Sequence, residues 1–255
     1  MIDMHIHLLP GIDDGSKSME ETEKMLRMIE EDGINKVIVT PHFYRGYYEK
    51  KREEVNNLTE KVNNFSKEKG INVSVYPGQE VFLDNNSLYE YDAGIIGNLA
   101  NTDYMLVEFP MNRMSKNGLD IVYEFKIKGV KPILAHPERY RYIIEKPENI
   151  NKFLDEGCLI QINSGSIRGR FGSEVKKTAE TLIKSGVCSF LGSDAHSSVR
   201  RRPGLRDALS VLQKIDKTTA DLVLKNSYSL FENENIEVSQ ARVKKKRGFF
   251  SFFKK

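Results

Sequence analysis

Two kinds of hydrophobic patterning take turns along the chain. Short apolar or β-branched runs recur as IDMHIHL from Ile2, KVIVTPH from Lys36, NVSVYPGQE from Asn72, YMLVEFP from Tyr104, KPILAHPE from Lys131, CLIQINSG from Cys158 and CSFLGSDAH from Cys188. Each has the length and residue types of a buried strand. Between them apolar residues fall at helical intervals: Met19, Met25, Met28 and Ile29 before Gly33; Val55, Leu58, Val62 and Phe65 before Gly70; Ile150, Phe153 and Leu154 before Gly157; Ala179, Leu182 and Ile183 before Gly186. A glycine after the last periodic residue is a helix stop. Strand, helix, stop and next strand predict an α/β fold with a parallel sheet. Seven such strands without a dinucleotide glycine fingerprint predict a closed (β/α) barrel over an open Rossmann sheet. A chain of 255 residues suits one such domain, here 1–231, followed by an acidic linker and a basic-aromatic tail over 232–255.

Charge changes the picture only at the end of the chain. Lys and Arg number 39 against 36 Asp and Glu, for a net charge of +3. Residues 242–255 hold Arg242, Lys244, Lys245, Lys246, Arg247, Lys254 and Lys255 and no acid, which exceeds that net charge and leaves the body acidic. A body of that sign gives no support to nucleic-acid binding. In the tail the basic residues bracket Phe249, Phe250, Phe252 and Phe253, a pattern suited to weak contact with an anionic membrane surface. No apolar run reaches the ~18 residues of a membrane span, and the first residues lack the basic-then-apolar run of a secretory signal, so a cytoplasmic protein is expected. Cys158 and Cys188 form no CxxC, and the residues six positions on are Ser164 and Asp194. A disulfide framework and a Cys-x5-Arg phosphate cradle are both excluded.

Chemistry-bearing residues collect at the C-terminal ends of the predicted strands, where barrel enzymes assemble their sites. His5 and His7 point to one side of a strand and can reach one ion together. His42, His136 and His196 also lie at strand ends, so none of the five histidines falls elsewhere. Carboxylates accompany them: Asp13 and Asp14 after the first strand, Glu80, Glu108 and Asp194. Asp13 reads as a residue that faces solvent or caps a helix, Asp14 as a metal ligand. Imidazole with carboxylate suits zinc, manganese or iron, and so many donors imply two or three divalent ions. Such centres lower the pKa of bound water and clamp the entering and departing oxygens of a displacement at phosphorus. Arg139 and the run Arg200, Arg201, Arg202 stand where loops deliver cations to a phosphoryl group. Phe43, Tyr44, Phe109 and Tyr140 either flank a phosphoaryl ring or pack.

The ordered set MIDMHIHLLPGIDDGS, TPHF, GQE, VEFP, AHPERY and GSDAH resembles the polymerase-and-histidinol-phosphatase superfamily. Within it the motifs are similar to the manganese-dependent bacterial tyrosine-protein phosphatases of capsule and exopolysaccharide loci, from residue 1 to about 210. The resemblance implies a distorted seven-stranded barrel with a trinuclear site, manganese being favoured over zinc, iron or cobalt. It assigns His5, His7, Glu80 and Asp194 to one ion, Glu80 with Glu108 and His136 to a second, and Asp14, His42 and His196 to a third. Arg139 corresponds to a phosphate-binding, catalytic arginine. Arg202 matches a second one by its following Pro203, although the spacing is one residue long and leaves Arg201 open. The implied substrate is the phosphotyrosine tail of a bacterial tyrosine kinase that controls polysaccharide chain length. Three other readings compete: a histidinol-phosphate phosphatase, an amidohydrolase-like enzyme in which Glu108 stands where a carboxylated lysine is usual, and a binding module with structural metals.

Overall fold

The computed structural model describes residues 1–245; most of the basic-aromatic tail, 246–255, lies outside the described residues. Ten strands form: β1 Ile2–Ile6, β2 Lys36–Val39, β3 His42–Tyr44, β4 Tyr48–Glu49, β5 Ser74–Tyr76, β6 Glu80–Phe82, β7 Tyr104–Glu108, β8 Lys131–Ala135, β9 Leu159–Asn163 and β10 Phe190–Gly192. All seven apolar runs contain strands, but two of them are broken. Pro41 separates β2 from β3, and Pro77-Gly78-Gln79 separates β5 from β6. A proline has no N–H for the ladder, so pairing stops there and the chain can change direction.

The breaks divide the pairing into two sheets. One has the order β1-β2-β5 and the other β10-β9-β8-β7-β6-β3-β4, with every pairing parallel except the short β3-β4 hairpin. The expected single closed sheet is therefore met in part, as a parallel α/β architecture in two sheets. They are linked at one seam by the chain itself, through Pro41 and Pro77-Gly78-Gln79, where Glu80 N–H donates to the Pro41 carbonyl (3.0 Å) beside the β3-β6 pairing, and they adjoin at the other seam. Ile6 and Ala195 form a bridge, and His7 N–H donates to the Ala195 carbonyl (2.9 Å).

Alternation along the strands feeds two apolar cores. Met105 and Val107 of β7 face the larger one, with Met25, Leu26 and Ile29 of the helix Met19–Glu31, whereas Leu106 faces a smaller one. The smaller core also takes Met4 of β1, Ile38 of β2, Ile133 of β8, Leu159 of β9 and Phe190 of β10, so strands of both sheets enclose it. At roughly 25 cal/mol per Å² of apolar area removed from water, these fully buried side chains are the main favourable term in holding the strand ends in register.

After the helix Lys217–Phe231 the chain stays on the body. The Tyr104 hydroxyl donates to the Glu234 carbonyl and accepts from Ile236 N–H (2.6 and 3.0 Å). Val243 is buried and exchanges hydrogen bonds with the Asn151 side chain, and Arg242 binds Asp155 through two nitrogens. No helix among the described residues is long and apolar enough to cross a membrane.

Candidate metal centre

The strand ends converge. β1 carries His5, with His7 just beyond it; His42 opens β3, Glu80 opens β6 and Glu108 closes β7. His136 follows β8, while Asp194 and His196 follow β10. The local backbone is irregular here. The β1-β2 ladder slips between Asp3 and Ile6, on either side of His5, and such slips re-aim side chains. His136 and Asp194 take the left-handed conformation (φ 35° and 50°), which non-glycine residues adopt at a cost and keep where the surroundings enforce it. Gly192 must lack a side chain, since a Cβ there would lie 2.7 Å from the His5 Cβ and 2.9 Å from Gln161 Nε2.

All nine sequence-predicted ligands come together in overlapping groups whose donor atoms lie within 4.8 Å of one another. The groups are His7, Asp14, His42 and His196; His5, His7 and Glu80; His5, His136 and Asp194; and His42, Glu80 and Glu108. Glu80 is the hub. Its Oε2 lies 3.3 Å from His5 Nε2, 3.2 Å from His7 Nε2 and 3.2 Å from His42 Nδ1, and its Oε1 is 2.8 Å from His136 Nε2. Glu80 Oε2 and His196 Nε2 are buried without a hydrogen-bond partner. Buried polar atoms are normally satisfied, so orphans among converging nitrogen and oxygen donors fit divalent cations of the imidazole-carboxylate class. His5, His7 and Glu80 are fully enclosed, whereas Asp14 is exposed at 45 % of its side chain, so the centre opens to solvent on that side.

Behind the ligands stands a layer that the sequence did not disclose. His5 Nδ1 contacts Gln161 Oε1 (2.9 Å), which also accepts from His136 N–H, and His7 Nδ1 contacts Asp13 Oδ2 (2.7 Å), which also accepts from His42 N–H. These contacts on Nδ1 leave each Nε2 for the centre. Asp13 is thus a buried, orienting carboxylate and not the solvent-facing or helix-capping residue expected from sequence. Gln161 Nε2 donates to Asn163 Oδ1, and Asn163 donates through Nδ2 to Asp194 Oδ2. No motif marked this amide pair, because Gln161 and Asn163 read simply as polar positions of a strand. Gln161→Leu is expected to weaken metal affinity by about 10–100-fold, the usual loss when an outer partner of a histidine ligand is removed. Titration against a competing chromophoric chelator reads it, and unchanged affinity would reduce Gln161 to packing.

Electrostatics follow from this crowding. Burial alone would raise Asp194, but His5, Arg201 and His196 hold it far below the usual carboxylate range. Glu80 likewise overcomes burial through His5 and His42 and stays well below. Glu108 is pushed well up by burial and by Glu80. Burial would lower His7, but Asp13 and Glu80 raise it to about 10; His136 and His196 are lowered to about 4 by burial, aided by Arg139 and His7 respectively. Beneath the centre, Glu138 accepts from Asn163 N–H and the Ser166 hydroxyl, and burial lifts it from 4.5 to about 7. A carboxyl raised in the folded state contributes stability that is lost as pH rises from about 4.5 through about 7. Denaturant midpoints should therefore fall over that window in the wild type relative to Glu138→Gln, and parallel profiles would contradict the shift.

Arginines close one side. Arg139 Nη1 and Arg201 Nη2 both bind Asp194 Oδ2 (3.1 and 2.5 Å), and their guanidinium carbons lie 4.7 and 5.9 Å from the Phe171 ring centroid. Arg202, preferred over Arg201 by motif, is exposed and makes no ion pair with a site carboxylate among the described residues. Arg201 is the member of the run that reaches Asp194. Phe43, Phe109 and Tyr140 are buried in the core and only Tyr44 stays half-exposed, so the first three pack. The two thiols are buried, Cys158 being raised to about 12, which leaves them inert.

A family model described as capsular polysaccharide synthesis, CpsB/CapC, matches residues 1–232. The chain belongs to the CpsB/CapC family. Tyrosine-protein phosphatase YwqE of Bacillus subtilis is 31 % identical over 99 % of this chain and 100 % of its own length. The putative tyrosine-protein phosphatase CapC of Staphylococcus aureus is 30 % identical over 92 % and 93 % of the two chains. A crystal structure from work on YwqE of B. subtilis and CpsB of Streptococcus pneumoniae, described as unique metal-dependent tyrosine phosphatases, superposes with a TM-score of 0.92 at 30 % identity, covering 96 % of this chain and 99 % of the other. The CpsB/CapC match ends one residue past the helix Lys217–Phe231 and spans every strand and ligand described above.

Proposed function

We propose that this CpsB/CapC protein is a metal-dependent protein-tyrosine phosphatase acting on the phosphotyrosine tail of a cognate bacterial tyrosine kinase, and that it thereby regulates capsular or extracellular polysaccharide synthesis. The observation that carries the reading is the convergence of five imidazoles and four carboxylates beside two inward arginines. The names of its relatives and the family description support the substrate and the pathway. We take manganese as the working metal, with two or three ions, and the cytoplasmic face of the membrane as the place of action, the tail of residues 242–255 making the surface contact. We also read the two sheets, joined at their seams, as one distorted seven-stranded barrel.

Held by His5, His7, Asp14, His42, Glu80, Glu108, His136, Asp194 and His196, divalent cations would supply Lewis acidity at phosphorus and a nucleophile from water near neutral pH. Asp13 and Gln161 keep His7 and His5 oriented with Nε2 toward the centre. Arg139 and Arg201 meet the phosphoryl oxygens, and their ion pairs with Asp194 hold the guanidinium planes ready. The asymmetric opening beside Asp14 and His42 admits a phosphate carried out on a long rigid ring.

Chelation should abolish hydrolysis of a phosphotyrosine peptide, refilling with manganese, cobalt or zinc should restore it, and thiol alkylation should leave it intact. Hydrolysis by metal-free protein would sink the proposal. Comparable rates on phosphoserine peptides, or faster turnover of histidinol phosphate, would move it to another phosphoesterase class.

A further inference from the structure

A groove of about 500 Å³ lies beyond the C-terminal ends of β6 and β7, lined by Phe82, Asp84, Pro110, Arg113, Met114 and Lys116 among others. Its position follows from strand alternation. Residues i and i+2 share a side, so the ligands His42, Glu80 and Glu108 are overlaid by Tyr44, Phe82 and Pro110. Phe82 stacks on Tyr44 with centroids 4.1 Å apart, and Tyr44 stacks on the exposed Tyr47 at 4.5 Å. Register ties the groove to the site, since Phe82 pairs with Glu108 across β6 and β7.

Charge identifies the occupant. Arg113 and Lys116 are exposed on the loop after β7 and make no ion pair among the described residues. The acidic lining residue, Asp84, faces Arg45 at 3.8 Å, and Arg45 also binds Glu90. The groove therefore presents two unspent cations and the Phe82 ring, whose backbone pairs with the candidate ligand Glu108, beside a centre whose own arginines are engaged with Asp194. We infer that this groove binds acidic side chains flanking a phosphotyrosine in a peptide, and that Arg113 and Lys116 determine that specificity. The inference rests on the phosphatase reading above and deepens it.

Four substrates compared on the metal-loaded full chain test it: p-nitrophenyl phosphate, a phosphotyrosine peptide flanked by alanines, and two versions of that peptide with two glutamates on its N-terminal or on its C-terminal side. One of the acidic peptides should show a KM about tenfold below the alanine peptide at low salt, the scale of two partly screened ion pairs, with kcat little changed. The double variant Arg113→Glu, Lys116→Glu should erase that preference and leave the constants for p-nitrophenyl phosphate as they were. Moderate salt should shrink the preference in the wild type. An acidic preference that survives the double variant, or its absence in the wild type while p-nitrophenyl phosphate is turned over, overturns the groove assignment alone. Failure of the metal-loaded wild type on every aryl phosphate overturns the phosphatase reading and this inference with it.

Discussion

Glu80→Ala should abolish turnover and release metal together, a loss beyond the about 100-fold that marks removal of an outer partner. Glu80 Oε2 faces His5, His7 and His42 within 3.3 Å while Oε1 faces His136, so the substitution strips an anion from four imidazoles at once. Asp14, Glu108 and Asp194 remain as anionic donors, but none of them faces all four of these imidazoles as Glu80 does, so the overlapping donor groups lose the carboxylate they share. Elemental analysis of purified protein, paired with phosphotyrosine-peptide kinetics, reads both halves of the result. Full metal content with activity lost would mean that Glu80 acts on substrate, and retained activity would remove it from the centre. Asp13→Asn should fall between this variant and wild type, because it weakens the hold on His7 Nδ1 without removing a donor.

The arginines should separate cleanly. Arg139→Ala and Arg201→Ala are each expected to lower kcat by about 10²–10³-fold, the scale seen when one preorganised donor to developing charge is removed. Metal content should survive in both, since Asp194 Oδ2 keeps Asn163 and the other arginine. Arg202→Ala should stay near wild type, because the side chain is exposed and pairs with none of the centre's carboxylates among the described residues. A large effect at Arg202 with none at Arg201 would reverse the assignment. Loss of metal in the Arg139 variant would make its role structural.

Much of this protein was legible without coordinates. The short apolar and β-branched runs located the strands, because parallel strands covered on both sides read as near-continuous apolar stretches, and the helical spacing with terminal glycines located the intervening helices, because burial of one helix face imposes that period. The convergence of the candidate ligands was legible for a related reason. His, Asp and Glu seldom follow apolar strands in such a series unless something at the strand ends uses them, and all nine do converge. Family membership follows from the same motifs.

Tertiary structure decided the rest. The two proline breaks were visible as residues, but whether a strand resumes in the same sheet depends on which neighbour takes up its carbonyl, as Glu80 N–H does for Pro41. Arg201 or Arg202 could not be chosen by spacing, since one inserted residue alters the direction of a loop side chain, and only contact with Asp194 and Phe171 shows which was turned inward. Asp13, Gln161 and Asn163 carry no local signature because their function is a distance to a histidine or carboxylate from elsewhere in the chain. The groove beside Phe82 arises where the segments after β6 and β7 meet. Local sequence sets the side-chain period and the donor chemistry; long-range packing sets which donors meet and which cations are left without a partner.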